Sequence, residues 1–268
     1  MLTANLNGSR VYADECIDRK ADYRCPECGE RVILAKGSVK IPHFKHEAHT
    51  ACEYSGETME HLRAKSWLYR TLKRNPDIEC VEAECSRFEG IRPDVAFKHR
   101  RAKSWVGIEI QHSSISIEEI WERCSRYQEQ KVAILWIASE KTFKKICDSE
   151  NFEVRFSNQA LAFHALHRSL FCFTGEKVLA FQLDPVYRTR QNYNYYTDEY
   201  YGDSWEEKLT NTKEVAWVID VSLNRIMTSG LNKFIRYTQY GPVELHNLCW
   251  IETDSDDWKS AVEYMYGW

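Results

Sequence analysis

Two cysteines and two histidines near the start of the sequence are spaced as metal ligands. Cys25 and Cys28 are separated by two residues, and after fourteen more residues His43 and His46 repeat that spacing. Thiolate sulfur and imidazole nitrogen are the ligands of tetrahedral structural zinc, and Gly29 suits a tight turn that directs both sulfurs inward. Four protein ligands leave no open position on the metal, so the predicted zinc has a structural role.

Other residues are alternatives within this ligand set. His49 and Cys52 lie close enough in the sequence to replace one of the two histidines, and a cluster without metal remains a second interpretation. The chain has ten cysteines, of which only Cys25 and Cys28 are closely paired. Most of the single cysteines are expected to be small, buried core residues.

Two acidic residues, Asp94 and Glu109, lie in neighbouring strand-like segments with fourteen residues between them. A hairpin that turns near residues 100–103 places them almost opposite one another, and side chains on the same face of such a pair have Cβ atoms about 5 Å apart. Two carboxylates at that distance repel each other unless a cation neutralises them or one takes up a proton. Mg2+ or Mn2+, which prefer hard oxygen ligands, are the predicted occupants.

A divalent cation at this position suits the hydrolysis of phosphodiester bonds, because it lowers the pKa of a bound water and stabilises charge on a phosphate during in-line attack. Gln111 shares the face of Glu109, since side chains alternate along a strand, so its amide can orient the water or hold a phosphate oxygen. The structural alternative is that Asp94 begins a turn and Glu109 forms an ion pair with a nearby arginine.

Hydrophobic periodicity indicates the elements that would position these residues. A helix over residues 58–74 places His61 and Lys65 one turn apart on the same face. The remaining predicted elements are an antiparallel meander over 78–87, 91–99 and 104–112, a helix from Ser116, a buried strand over 132–138, a helix over 158–168 and two strands within 170–181.

The overall composition excludes several classes of protein. The chain has 268 residues, 36 Lys plus Arg against 40 Asp plus Glu and a hydrophobic content of 43%, which is enough for a folded core of one or two domains. The longest apolar run, Val132–Ala138, is too short to cross a bilayer, so no membrane association is expected. The first ten residues lack an apolar signal segment, so we expect a cytoplasmic protein.

The C-terminal region differs in charge from the rest of the chain. Residues 190–268 contain seven Lys or Arg against thirteen Asp or Glu, and the segment 187–205 is rich in tyrosine. Exposed tyrosines can stack on nucleic-acid bases. In these acidic surroundings we favour the alternative, in which they pack a small β-rich subdomain.

Five motifs in a fixed order resemble those of the competence protein CoiA-like family. They are Tyr23-x-Cys-Pro-x-Cys-Gly29, His43-Phe-x-His46, Glu60-His61-x3-Lys65, Arg92-Pro-Asp-Val95 and Glu109-Ile-Gln-x-Ser113. The resemblance covers residues 20–140, and Arg123-x3-Tyr127 extends it. It implies an α+β or α/β fold with a restriction endonuclease-like (PD-(D/E)XK) core, in which helices flank a mixed sheet. We expect a zinc-finger-like module over 1–54, the nuclease-like domain over 55–185 and a β-rich C-terminal extension over 186–268.

The resemblance also implies roles for individual residues. Asp94 and Glu109 would bind the catalytic metal, Gln111 stands where the superfamily commonly has lysine, and His61 would assist metal binding. Lys65, Arg92 and Ser113 would bind the substrate, with the alternative that Lys65 pairs with a glutamate on a solvated helix face. Glu82 and Glu84 are further candidate ligands.

These observations predict a metal-dependent nuclease that hydrolyses DNA, in DNA uptake, recombination or defence against foreign DNA. The alternative is a catalytically inactive DNA-binding or adaptor protein that keeps the nuclease fold and engages a partner protein through its C-terminal region. Oligomeric state and strand preference are not predicted from the sequence.

Overall fold

The structure is a computed structural model of the chain. It describes residues 1–47, 52, 57–100, 105–148, 153–220, 226–228, 234–238, 241–245 and 249–251, with side chains described up to residue 215. The fold is mixed α+β, with a large mixed sheet flanked by helices. The chain divides into two compact units: unit 1 contains residues 1–110, 121–136 and 221–268, and unit 2 contains residues 111–120 and 137–220.

Four helices and sixteen strands make up the described chain. The helices are α1 (Met59–Lys73), α2 (Ile117–Glu129), α3 (Glu140–Cys147) and α4 (Asn158–His167). The strands up to residue 111 are β1 (Thr3–Leu6), β2 (Ser9–Tyr12), β3 (Val32–Ala35), β4 (His43–His46), β5 (Ile78–Ala83), β6 (Val95–His99) and β7 (Trp105–Gln111). The later strands are β8 (Val132–Ala138), β9 (Glu153–Arg155), β10 (Leu170–Phe173), β11 (Val178–Asn194), β12 (Glu199–Asp220), β13 (Ile226–Thr228), β14 (Phe234–Thr238), β15 (Gly241–Leu245) and β16 (Cys249–Ile251).

The N-terminal part of unit 1 consists of two antiparallel hairpins, β1-β2 and β3-β4. They enclose a small core in which the rings of Tyr23 and Phe44 lie 4.9 Å apart. So small a core stabilises a fold weakly by itself, which is the situation in which metal ligands or neighbouring elements are needed.

The sheet of unit 1 has the strand order β5-β6-β7-β8. β5, β6 and β7 form the predicted antiparallel meander, with Val95 opposite Ile108. Extending this register by one residue sets Asp94 opposite Glu109, as the spacing predicts. Residues 101–104, which include part of the predicted turn, lie outside the described residues.

Helix α1 lies against β5 and β6 and buries the apolar face that the periodicity predicts, including Leu62, Leu68 and Leu72. Thr58 is its N-cap and accepts the His61 N–H at 3.2 Å. The helix start is therefore set one turn before His61, which places the His61 side chain at the end of α1 nearest β6.

Strand β5 ends earlier than predicted, at Ala83 instead of residue 87. Glu84 has a φ of 50°, in the left-handed region that ends regular pairing. Its N–H donates to the Asp94 carbonyl at 2.7 Å, so the chain bends at the level of Asp94.

Unit 2 contains the strands β10-β11-β12-β9 in that order, together with residues 137 and 138 at the end of β8. β10 runs parallel to β8 and antiparallel to β11, which confirms the two strands predicted within 170–181. Helix α4 is also confirmed, whereas α3 and β9 have no counterpart in the sequence prediction. The boundary predicted at residue 185 falls inside β11, which runs without a break to Asn194.

The tyrosine-rich segment forms the distal half of the β11-β12 hairpin, and not a packed subdomain as we expected. We call residues 187–208, which comprise the paired segments 187–194 and 199–208 and the turn between them, the tyrosine arm. Tyr195, Tyr196 and Tyr200 are 87%, 100% and 68% exposed. The expectation fails because both faces of this ribbon are exposed, which leaves no core for the rings to enter.

None of the helices in the described part of the chain is long and apolar enough to span a bilayer. Further along the chain, β13 pairs with β16 and β14 with β15, each antiparallel.

Candidate metal and catalytic site

Two groups of side chains in unit 1 converge as metal ligands do. The thiol group comprises Cys25, Cys28, His46 and Cys52, and the carboxylate group comprises Glu57, His61 and Asp94. Within each group the ligand atoms all lie within 4.8 Å of one another.

The thiol group is held by the turn after β2 and by β4. Cys25 Sγ lies 3.8 Å from Cys52 Sγ, and Cys28 Sγ lies 3.3 Å from His46 Nε2. Gly29 has the positive φ of 72° that the predicted turn requires, and its N–H donates to the Cys25 carbonyl at 3.0 Å. Three sulfurs and one imidazole are a ligand set of structural zinc sites.

His43 is not part of this group, and Cys52 occupies the fourth position instead. Residues three apart in a strand point to opposite faces, so β4 cannot present both His43 and His46 to one ion. The His43 Nδ1 atom instead lies 2.9 Å from the Ile41 carbonyl oxygen. His49, the other proposed substitute, lies outside the described residues.

The thiols of this group are suited to binding a cation. Burial raises the pKa of Cys25 to about 11 and also raises the pKa of Cys52, so without a cation both thiols keep their protons. A thiophilic cation displaces such protons and takes the sulfurs as thiolates. The residues therefore fit zinc.

The carboxylate group is assembled by the start of α1 and by the bend before β6. His61 Nδ1 lies 3.3 Å from Glu57 Oε1, and His61 Nε2 lies 3.0 Å from Asp94 Oδ2. Glu57 and His61 are one helical turn apart, so they meet on one face of the helix start. The imidazole thereby links two carboxylates.

Asp94 is fixed as an anion. Burial alone would raise the pKa of Asp94, but the His61 imidazole, the Lys65 ammonium and the Ile110 N–H together lower it to about 2. The Ile110 N–H donates to Asp94 Oδ2 at 2.8 Å, which ties the carboxylate to β7. Burial would lower the pKa of His61, yet the Asp94 and Glu57 carboxylates raise it above its usual value.

Glu109 has the opposite electrostatic character. Burial, followed by the negative charge of Asp94, raises the pKa of Glu109 to about 7. The Tyr127 hydroxyl donates to Glu109 Oε1 at 2.5 Å, and Arg123 Nη1 lies 3.6 Å from Glu109 Oε2. The arginine of the structural alternative is thus present, but it does not offset the effect of burial. The site holds one carboxylate that stays ionised and one that titrates near neutral pH.

Lys65 is buried, with 1% of its surface exposed, and forms internal ion pairs. Its Nζ atom pairs with Glu57, lies 2.7 Å from Glu84 Oε1 and is 3.9 Å from Asp94 Oδ1. The interactions of these three carboxylates raise its pKa despite burial. The alternative interpretation is therefore wrong in placing Lys65 on a solvated helix face, and the buried Lys65 ammonium is not exposed to bind a phosphate as the resemblance implied. Its pairing with Glu57 is the alternative we considered.

Glu84 supports this arrangement and is not itself a free ligand. Its carboxylate accepts the Leu2 N–H at 2.8 Å, the Thr3 N–H at 3.0 Å and the Thr3 hydroxyl at 2.8 Å. Burial would raise the pKa of Glu84, but Lys65 and the donors around it lower it to about 2. A left-handed backbone costs a non-glycine residue about 1–2 kcal/mol, so these contacts also hold an unfavourable conformation.

The remaining predicted site residues lie outside the carboxylate group. The Gln111 amide donates to the Ser113 carbonyl at 2.7 Å, and the Ser113 carbonyl also accepts from Gln159 at 3.5 Å. Arg92 Nη1 lies 3.5 Å from Glu27 Oε2, and Glu27 belongs to the turn that carries Cys25 and Cys28. Glu82 pairs with Arg87. The structure therefore brings Asp94, His61 and Lys65 together and sets Glu109 opposite Asp94 but outside the carboxylate group, and it gives the others different partners.

Sequence reasoning missed Glu57 as a candidate ligand and Tyr127 as a partner of Glu109. The spacing of Glu57 and His61, four residues across a helix start, was the available signal for the first. Arg123 and Tyr127, four residues apart on α2, both contact Glu109, which only the packing of α2 on the sheet shows.

Two family models match consecutive parts of the chain. A family model described as "Competence protein CoiA, nuclease-like domain" matches residues 57–207, and one described as "Competence protein CoiA, N-terminal domain" matches residues 9–55. Over 183 residues the chain is 24% identical to a Bacillus subtilis (strain 168) protein named "Competence protein CoiA". That alignment covers 66% of this chain and 47% of the relative, so the chain spans about half the length of the curated relative it matches. No solved structure matches.

Proposed function

Since the chain belongs to the competence protein CoiA family, with its nuclease-like domain, we propose that it is a metal-dependent nuclease that hydrolyses DNA phosphodiester bonds. One observation carries this proposal. An ionised Asp94, joined by His61 to Glu57, lies opposite a second buried carboxyl, Glu109, which titrates near neutral pH. Oxygen-rich groups of this kind bind Mg2+ and Mn2+.

Asp94, Glu57 and the unprotonated His61 would hold the metal. When bound there, Mg2+ or Mn2+ supplies a water of lowered pKa and stabilises negative charge on a phosphate. The Ile110 N–H fixes Asp94 while the neighbouring charges change. His61 must release its proton before Nε2 can act as a ligand, so metal affinity should weaken as the pH falls through the pKa of His61.

Glu109 would accept the proton of the attacking water. A group with a pKa of about 7 exchanges protons readily at neutral pH. The Tyr127 hydroxyl holds one oxygen of Glu109 and Arg123 lies near the other, so its orientation is restricted. Gln111 would orient the water after release of its contact with Ser113.

Cleavage of DNA tests the proposal. Purified protein with Mg2+ or Mn2+ is incubated with single- and double-stranded DNA, beside an Asp94→Ala/Glu109→Ala variant. A Glu82→Ala variant is the control, because Glu82 pairs with Arg87. We expect the double variant to lose at least about a hundredfold in rate, since a catalytic metal contributes several kcal/mol. Equal rates in the wild type and the double variant would contradict the proposal.

The second candidate function is an adaptor that keeps the nuclease fold and binds a partner protein. The tyrosine arm favours it. Exposed tyrosines lie there beside Asp198, Glu199 and Asp203, whereas Arg188 and Arg190 are paired with Glu153 and Glu207. Such a surface repels nucleic acid and suits a partner segment rich in Lys or Arg, through ion pairs and cation–π contacts.

Binding measurements separate the two candidates. An Arg-rich fluorescent peptide and a single-stranded DNA of equal length are titrated with wild-type protein and with a Tyr195→Ser/Tyr196→Ser/Tyr200→Ser variant. The adaptor function predicts that only peptide binding weakens in the variant, together with an absence of cleavage. DNA binding that depends on the three tyrosines would instead assign the arm to the substrate.

A further inference from the structure

Glu84 lies between the N-terminal segment and the carboxylate group, beside a direct contact in which the Met1 nitrogen is 3.1 Å from Glu57 Oε2. Four donors reach its buried carboxylate: the N–H groups of Leu2 and Thr3, the Thr3 hydroxyl and the Lys65 ammonium. The first three belong to the N-terminal segment that carries β1, and the fourth belongs to α1. One side chain therefore joins the N-terminal segment to helix α1.

We infer that Glu84 is a positioning residue, which makes the geometry of Asp94 depend on the folded, metal-bound state of the N-terminal hairpins. This inference deepens the proposed nuclease function and rests on it for its significance. The contacts that support it are all within unit 1.

A short path of contacts joins the thiol group to Glu84. His46 of the thiol group lies on β4, and Phe44, two residues earlier on β4, donates its N–H to the Met1 carbonyl at 2.9 Å. Phe44 also lies in the same core cluster as Cys25 and Cys52. Displacement of β4 therefore moves the residues whose N–H groups bind Glu84.

The path continues from Glu84 to Asp94 in two ways. The Glu84 N–H donates to the Asp94 carbonyl at 2.7 Å, which couples the two backbones. The Glu84 carboxylate also holds Lys65, whose Nζ lies 3.9 Å from Asp94 Oδ1. Loss of the N-terminal donors would leave a buried carboxylate with fewer partners, so Glu84 and the bend that it forms would rearrange.

Both the acid and its unusual backbone are explained by this role. A neutral glutamine could accept the two N–H groups but would not balance the Lys65 charge. The left-handed φ of Glu84 turns its N–H toward Asp94 while its side chain points to β1. In a regular strand the Glu84 N–H and the Glu84 side chain would not take these two directions.

Hydrogen exchange at the Ile110 amide tests the coupling, because this N–H donates to Asp94 Oδ2. Exchange is measured by NMR on the full chain, zinc-loaded and after chelation, with the buried Leu135 amide as a control for global unfolding. In the wild type we expect chelation to raise the Ile110 rate at least about tenfold. In Glu84→Gln we expect the rate to be already raised with zinc, and chelation to change it less than about twofold.

A pair of Thr3 variants keeps the test decisive if Glu84→Gln does not fold. Thr3→Val removes one donor to Glu84, whereas Thr3→Ser retains the hydroxyl. We expect faster Ile110 exchange in zinc-loaded Thr3→Val, and wild-type protection restored in Thr3→Ser. Unchanged Ile110 protection in both Glu84→Gln and Thr3→Val would overturn the inference, as would an equal response to chelation in Glu84→Gln and wild type.

Failure of this inference can be distinguished from failure of the nuclease proposal. The exchange measurement requires neither DNA nor a catalytic metal. A protein that does not cleave DNA but shows the coupled exchange would lose the proposed activity and keep the positioning role of Glu84. The reverse result would leave a nuclease whose site is independent of the N-terminal hairpins.

Discussion

Without metal, the thiol group and the carboxylate group reach charge balance in different ways. In the thiol group, burial raises the pKa of Cys25 and Cys52, so the group is close to neutral. In the carboxylate group, Asp94 remains ionised and the protein provides its own cation, Lys65. The first group needs a metal to complete the packing of a small core, whereas the second is already compensated and can exchange a metal.

This difference indicates which group suits a structural metal and which group suits the catalytic metal that we propose. A tightly held structural ion has four protein ligands, as the thiol group offers. The carboxylate group offers three ligands, so a metal bound there would keep coordination positions for water. The predictions below test this contrast in order of decreasing effect.

The largest effect is expected from loss of the thiol group. Cys52→Ser should abolish binding of the one zinc ion predicted per chain and unfold the N-terminal hairpins, because metal binding supplies on the order of 10 kcal/mol to small zinc modules. Metal analysis and circular dichroism measure both effects. The matched variant His43→Ala should retain zinc, since His43 lies outside the group. Zinc loss in His43→Ala with retention in Cys52→Ser would reverse the ligand assignment.

The second largest effect is a loss of stability when Lys65, the internal cation beside the carboxylate group, is removed. Lys65→Met leaves the buried Glu84 and the partly buried Glu57 without their lysine partner and should lower the free energy of unfolding by about 3–5 kcal/mol. Added Mn2+ should restore more stability to this variant than to the wild type. The control, Lys73→Met, removes an exposed pair with Glu15 and should cost less than about 1 kcal/mol. Urea unfolding gives both values, and similar losses in the two variants would remove the contrast.

An intermediate effect is expected from Glu109 through pH. Its pKa in the folded state, about 7, exceeds the unfolded value of about 4.5. Between these two pH values the folded state therefore binds more protons than the unfolded state. The stability of the catalytic-metal-free protein should therefore fall as the pH rises from about 4.5 to 7, by about 1–3 kcal/mol. Glu109→Gln should remove this loss.

Urea unfolding between pH 5 and pH 8 measures the difference between the wild type and Glu109→Gln. Asp94 and Glu84 do not interfere, because their lowered pKa values confine their loss of stability to more acidic pH. A difference that does not change with pH would show that Glu109 is ionised throughout, like Asp94.

The smallest effect is expected from Tyr127→Phe, which removes the hydroxyl that donates to Glu109. That hydrogen bond favours the ionised carboxylate, so its loss should raise the pKa of Glu109 further, by about one unit. NMR titration of the Glu109 carboxyl carbon measures the shift. Tyr12→Phe, which removes a hydroxyl that bonds to Ser66, is the control and should leave the titration unchanged.

The sequence alone determined the local features of the site. Periodicity placed α1 and its buried leucines, and the spacing of apolar segments predicted the β5-β6-β7 meander. The position of the turn was enough to set Asp94 opposite Glu109. These features depend on residues close in sequence, so the periods of helix and strand determine them.

Only the tertiary structure decided which ligands belong together and which carboxylate keeps its proton. Cys52 replaces His43 because β4 turns His43 to its other face. Lys65 is buried among carboxylates, and Tyr127 reaches Glu109, because α1 and α2 pack on the sheet. Burial and neighbouring charges depend on contacts between segments far apart in the sequence. The shift of a pKa from its usual value is set by those contacts, so the identity of the residue alone does not give it.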